Sequence, residues 1–90
     1  MPRYFHNLNY LDELMIDQEG AEYENLKAAE AEAELTVRDL GALALIEGRY
    51  FRLASVRICD GSGTTLAEIF TEDVLTQVFQ PTDALIWKAV

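Results

Sequence analysis

The chain has very few of the residues that most metal sites, disulfides and catalytic triads require. Its 90 residues contain one cysteine, Cys59, one histidine, His6, and two prolines. A lone cysteine excludes an intramolecular disulfide, and one cysteine with one histidine cannot complete a structural zinc site. Any Ser-His-Asp or Cys-His arrangement would need His6. We therefore expect no metal and no cofactor.

The sequence also lacks a long apolar run. The longest apolar-dominated stretch, Leu40–Ile46, is far shorter than the roughly 20 residues that cross a bilayer. Nothing at the N-terminus resembles a signal peptide. These absences predict a cytoplasmic protein with no membrane partner. The length of 90 residues predicts a single domain over residues 1–90. Its core is expected over residues 3–71, with a C-terminal arm over residues 72–90.

Basic residues are scarce. Seven Lys and Arg face 16 Asp and Glu, a net charge of −9, which opposes sequence-independent binding to nucleic acid or anionic lipid. Nine of the acids lie in residues 12–34 beside one base, Lys27, a local charge of −8. That segment is either a solvated surface or a face for a basic protein partner. Its acids Asp17, Glu19 and Glu22 are the candidate contact residues.

Apolar periodicity in the first half predicts a hairpin followed by a long helix. Arg3–Tyr10 alternates as a strand, Leu14–Asp17 returns along it, and residues 18–24 read as a loop. The helix runs from Leu26 to about Glu47, with Asn25 as N-cap and Gly48 as the stop. Its core stripe consists of Leu26, Ala29, Ala33, Val37, Leu40 and Ala44. Gly41 inside the helix predicts a kink or a close contact.

The second half reads as another hairpin. Within residues 50–60 the apolar residues lie first at odd positions, Phe51 and Leu53, and then at even positions, Val56 and Ile58. This change predicts a strand with a bulge near Ala54–Ser55. Asp60–Gly63 forms the loop and Thr64–Phe70 the returning strand. Thr71 is placed to cap a short helix. The predicted fold class is α+β: a four-stranded antiparallel sheet in ββαββ order, one long helix on one face and a short C-terminal extension.

This architecture leaves apolar surface uncovered. A second apolar stripe of the helix contains Leu35, Ile46, Ala28 and Ala42. The second sheet face is expected to carry Phe5 and some of Phe51, Leu53 and Ile69. A homodimer, with Leu35 and Ile46 in its interface, would cover this surface by using one patch twice. Trp87, near the C-terminus, is either a core residue or an interface anchor.

Other chemistry has weaker support in the sequence. The acidic loop lacks the spacing of a known calcium-binding loop. His6 lies on an apolar strand face, where a hydrogen-bonded packing role is more common than general-base chemistry. Cys59 is expected to act as a small hydrophobe, although neighbouring Arg57 would favour its thiolate. The basic stretch with Arg49, Arg52 and Arg57 leaves nucleic-acid binding by a dimer as a third alternative.

Four motifs stand out along the chain: the opening M-P-R-Y-F, the D-x-E-G-x-E of Asp17–Glu22, the Ala-rich helix start after Leu26, and the V-x-I-x-D-x-x-G-x-x-L of Val56–Leu66. Together they resemble a family of small bacterial proteins of unknown function. The resemblance covers roughly residues 1–70 and implies a fold and a bacterial origin, with no activity. His6 stands where the family usually has an aromatic residue, and Glu30 where a basic residue is common.

We therefore expect a non-enzymatic protein-interaction or regulatory module, homodimeric, that presents an acidic face to a basic protein partner. The alternative is a small-ligand-binding or catalytic domain that uses His6 and nearby carboxylates.

Overall fold

A computed structural model describes residues 1–78 as an antiparallel sheet packed against one long helix, with a short helix at the end. The predicted α+β class is confirmed, but the sheet has five strands in place of four. The elements are β1 (Arg3–Tyr10), β2 (Leu14–Met15), β3 (Ala21–Glu22), α1 (Leu26–Glu47), β4 (Leu53–Cys59), β5 (Thr65–Phe70) and α2 (Thr71–Val78).

The additional strand, β3, lies where the sequence predicts a loop. Its two residues, Ala21 and Glu22, pair antiparallel with Arg3 and Tyr4 at the start of β1. Two-residue pairing is made by backbone groups and needs no apolar alternation, so periodicity gives no signal for it. The other strands lie in the order β2-β1-β4-β5.

β4 contains the predicted bulge. Asn9 of β1 pairs with Ser55, but the next residue, Tyr10, pairs with Leu53, so Ala54 is the extra residue. Because of this extra residue, Leu53 and Val56 both point to the helix side of the sheet, where both are buried. The bulge is confirmed at the position where apolar parity changes in the sequence.

Both ends of α1 are confirmed as predicted. The side chain of Asn25 accepts a hydrogen bond from the Ala28 N–H at 2.9 Å, and Gly48 ends the helix with φ of 68°. The residues that α1 buries are Ala29, Ala33, Val37, Gly41 and Ala44, nearly all small. Small side chains bring the helix axis close to the sheet. A Cβ at Gly41 would lie 3.3 Å from Phe51 Cε2, so the predicted close contact is present.

The core lies between α1 and one face of the sheet. Tyr4, Val56 and Ile58 are its buried strand residues, and Val74 of α2 closes it at one end. α2 begins at Thr71 itself, which is buried. The residues expected to form the C-terminal arm therefore begin with a helix that packs on the core.

The opposite sheet face matches the prediction only in part. Phe5 alternates with Tyr4 and His6, which face α1, so Phe5 lies on the far face as expected. Phe51, Leu53 and Ile69 instead pack against the core.

The far face carries a row of hydrogen-bonded polar side chains. Asn9 Nδ2 donates to Ser55 Oγ at 3.2 Å, and Ser55 Oγ donates to Glu68 Oε2 at 2.5 Å. These polar groups satisfy one another, but Leu66 and Phe70 on the same face remain 42% and 49% exposed.

Candidate functional site

The D-x-E-G motif forms a wide bulge beside β1. Leu8 pairs with Met15 and Tyr4 with Ala21, so five residues, 16–20, oppose three, 5–7. The Asp17 carboxylate holds the bulge closed by accepting three backbone N–H groups. These come from Gly20 at 3.0 Å, His6 at 3.1 Å and Glu19 at 3.2 Å. Asp17 is therefore a structural residue of the acidic segment.

Gly20 is required at the end of this turn. Its φ is +67°, and a Cβ there would lie 2.8 Å from Phe5 Cε2 and 2.9 Å from the carbonyl oxygen of Tyr4. Both the backbone conformation and the space favour glycine. The motif therefore encodes this turn.

The electrostatics of Asp17 match its contacts. Burial raises the pKa of its carboxyl, but the three N–H donors and the nearby His6 ring together outweigh this effect and hold the pKa below its usual 3.8. The other two predicted acids, Glu19 and Glu22, are exposed. Among residues 1–78 their carboxylates take part in no hydrogen bond or ion pair, so they are available to a partner.

His6 lies half-buried between β1 and the start of α1. Its Nε2 is 2.9 Å from the carbonyl oxygen of Ala29, so this nitrogen carries the hydrogen and donates it. Its ring packs edge-on against Tyr23, with centroids 5.5 Å apart. Nε2 is thus occupied by a backbone contact, which favours a packing role over general-base chemistry.

Tyr23 lies close to two of the acids. Burial raises the pKa of its phenol above the usual 10.0, and the negative charges of Glu32 and Asp17 raise it further. Asp17, which precedes α1, and Glu32 within α1 therefore both act on the Tyr23 phenol. The acidic potential is concentrated near the N-terminal end of α1.

The three arginines that suggest a basic stripe each have an acidic partner. Arg49 pairs with Glu47, Arg52 with Asp12 at 3.7 Å, and Arg57 with Glu68 at 3.2 Å. A partner carboxylate cancels most of the field of each arginine, which weakens the argument for binding phosphate groups. Cys59 beside them is buried, and its sulfur lies 3.5 Å from Asn7 Nδ2 and 3.7 Å from Thr65 Oγ1.

The C-terminal end of α1 carries bare apolar side chains. Leu45, Ile46 and Tyr50 are 76%, 83% and 87% exposed, and Leu35 and Leu43 are 42% and 43% exposed. Beside them lies a groove of about 450 Å³. It is lined by Arg38, Gly41, Ala42, Ala44, Leu45, Arg49, Tyr50, Phe51, Leu75 and Val78. We call these exposed side chains and the groove the apolar end.

The structure brings the predicted residues into two separate regions. Leu35 and Ile46 lie on the exposed side of α1, whereas Asp17, Glu19 and Glu22 follow the β1 edge. Trp87 lies outside the described residues. The sequence argument missed the groove, because its walls come from α1, α2 and the segment before β4. Only the three-residue spacing of Leu75 and Val78 in α2 indicated one of those walls.

Two further properties concern only the described part of the chain. Residues 1–78 contain no group of three or more His, Cys, Asp or Glu side chains that could hold a metal ion. Neither helix in this part is both long and apolar enough to span a bilayer.

Family membership follows from one comparison. No curated protein and no solved structure matches the chain. A family profile described as "Domain of unknown function (DUF6894)" matches residues 3–71. This span holds all five strands, α1 and the Asp17 turn, and it ends at the first residue of α2. The resemblance to a family of unknown function is thereby confirmed, and the chain belongs to the DUF6894 family.

Proposed function

We propose that this domain is a non-enzymatic protein-interaction or regulatory module. It forms a homodimer through the apolar end and presents its acidic segment to a basic protein partner. The observation that carries the proposal is the separation of the two surfaces. Exposed carboxylates concentrate near the start of α1, and exposed leucine, isoleucine and tyrosine side chains near its end, about 33 Å away along 22 residues.

The composition of the apolar end favours self-association. Burying a leucine or isoleucine side chain stabilises a complex by about 1.5–3 kcal/mol. A two-fold contact buries Leu45 and Ile46 twice, which gives about 6–12 kcal/mol in total. Association costs about 4–15 kcal/mol. The exposed Tyr50 ring and the groove walls add to the favourable side of this balance.

Size-exclusion chromatography with light scattering tests the homodimer. At micromolar concentration we expect twice the chain mass of 10.2 kDa. Ile46→Glu places a charge in the interface of each protomer and is expected to weaken association by at least about 100-fold. Leu11→Glu is the matched control, because Leu11 is also 72% exposed but lies in the β1–β2 turn. A wild-type mass of one chain, or equal loss in both variants, would contradict the proposal.

The acidic segment fits a basic protein surface for two reasons. The exposed carboxylates of Glu19 and Glu22 have no partner among residues 1–78, so the fold does not use their charge. Arg49, Arg52 and Arg57, by contrast, each pair with an acid within residues 1–78. Unpaired charges of one sign chiefly accelerate encounter and set the orientation of the bound partner.

A pull-down that compares charge variants tests this second surface. The wild-type domain should retain a basic protein at 50 mM salt and lose it at 300 mM salt, because salt screens exposed charges. The double variant Glu19→Gln, Glu22→Gln should retain much less of the same protein. Glu72→Gln with Asp73→Asn in α2 removes equal charge elsewhere and should retain it fully. Equal retention by both variants would refute an acidic docking face.

A further inference from the structure

We infer that a second copy of this chain packs its α1 antiparallel against α1 of the first, with the two-fold axis next to Ala42. The inference rests on the proposed homodimer and specifies its geometry. In this arrangement the partner's α1 covers both the exposed side of α1 and the part of the groove that α1 lines. Three features of the described residues support this arrangement.

The first feature is the spacing of residues on the exposed side of α1. They follow one another at alternating intervals of three and four residues, which is the heptad spacing of a helix that packs along a second helix. These residues are Ala28, Ala31, Leu35, Arg38, Ala42 and Leu45. They are distinct from the stripe that α1 buries against the sheet. The helix is therefore patterned for contacts on two sides, and residues 1–78 supply only one of them.

The second feature is the distribution of charge along α1. A two-fold axis near the middle of the N-terminal half of α1, which contains Glu30, Glu32 and Glu34, would place the glutamates of both copies against each other. An axis at Ala42 separates the two Glu32 side chains by about 30 Å along the helix, several Debye lengths of about 8 Å. The antiparallel arrangement with this axis therefore avoids repulsion between the glutamates of the two copies.

The third feature is the placement of bulky and small residues around Ala42. Leu35, Leu45 and Ile46 all lie within seven residues of it, so all are within about 11 Å of the axis along the helix. The methyl group of Ala42 at the crossing allows the two backbones to approach closely. Antiparallel packing thus covers the most exposed side chains of α1.

A cysteine placed on the axis tests this geometry directly. A residue next to a two-fold axis lies beside its own copy, and a disulfide forms when the two Cα atoms are about 4.4–6.8 Å apart. Ala42→Cys should therefore cross-link to a covalent dimer under mild oxidation with diamide. Ala31→Cys is also exposed, but its two copies would lie about 33 Å apart. The native Cys59 is buried and does not compete.

The expected result is cross-linking at least about tenfold faster for Ala42→Cys than for Ala31→Cys, read by non-reducing electrophoresis. Light scattering of both reduced variants is measured in parallel. If both are dimers but Ala42→Cys cross-links no faster, the antiparallel arrangement is wrong and the homodimer stands. If both are monomers, the homodimer and this geometry fail together.

Discussion

The Asp17 carboxylate offers the most direct test of how this fold is held together. We consider Asp17→Ala, which removes the acceptor of three backbone N–H groups. Two of the donors, on His6 and Gly20, are partly buried, whereas the N–H of Glu19 is exposed and can bind water instead. The substitution therefore leaves two N–H groups without a partner, and the bulge loses the group that closes it.

The expected loss follows from these contacts. A hydrogen bond to a charged group contributes about 1.5–3 kcal/mol when buried, and these two are only partly buried, so about 1 kcal/mol each is appropriate. The exposed bond adds a few tenths. The free energy of unfolding should fall by about 2–3 kcal/mol, which lowers the thermal midpoint of a domain of this size by roughly 8–24 °C.

Urea and thermal unfolding at one protein concentration measure this loss. Glu19→Ala is the control, because it removes an exposed carboxylate from the same turn and should change the free energy of unfolding by less than about 0.5 kcal/mol. If Asp17→Ala and Glu19→Ala destabilise equally, the hydrogen bonds to Asp17 do not hold the bulge and the reasoning fails.

The remaining predictions concern the Gly20 turn, the helix cap and pH. Gly20→Ala should lower the free energy of unfolding by about 2–4 kcal/mol, because it strains the backbone and contacts β1. Gly61 has open space around it and no positive φ, so Gly61→Ala should leave the free energy of unfolding in urea nearly unchanged. Asn25→Ala should lower the free energy of unfolding by about 1 kcal/mol and reduce the helical circular dichroism signal at partial unfolding, because it removes the cap of α1. Glu24→Ala, the control, should change neither. Folding lowers the pKa of Asp17 below its usual 3.8, so its carboxylate contributes its full stabilisation above pH 3.8. The difference in free energy of unfolding between the wild type and Asp17→Asn should decline as the pH falls through the lowered pKa, which unfolding measurements from pH 6 to 2 check.

The parts of the fold that could be predicted are those encoded locally. Asn25 and Gly48 mark the ends of α1 because capping depends on the residues next to the cap. The bulge at Ala54 could be predicted because a change of apolar parity requires one extra residue. These features depend on neighbours along the chain, which a single sequence contains in full.

The parts that could not be predicted depend on residues far apart in sequence. The polar row on the far sheet face combines Asn9, Ser55 and Glu68, which no sequence window contains together. The same holds for the bond from the His6 N–H to the Asp17 carboxylate. From sequence alone Asp17 is one acid among nine in its segment. Only the pairing of β1 with the strands on either side of the bulge shows that it supports the fold.

The same pairing divides the acidic segment by role, and this division supports an interaction function. Asp17 holds the bulge and Asp12 pairs with Arg52. The carboxylates of Glu19 and Glu22 hold nothing within residues 1–78, and mutual repulsion among such charges weakens the folded state. Exposed side chains such as Ile46 likewise leave apolar surface in water at the other end. Both features oppose the stability or solubility of a lone protomer. The proposed interactions would relieve both, because a basic surface would neutralise the carboxylates and a second copy of α1 would bury the apolar side chains.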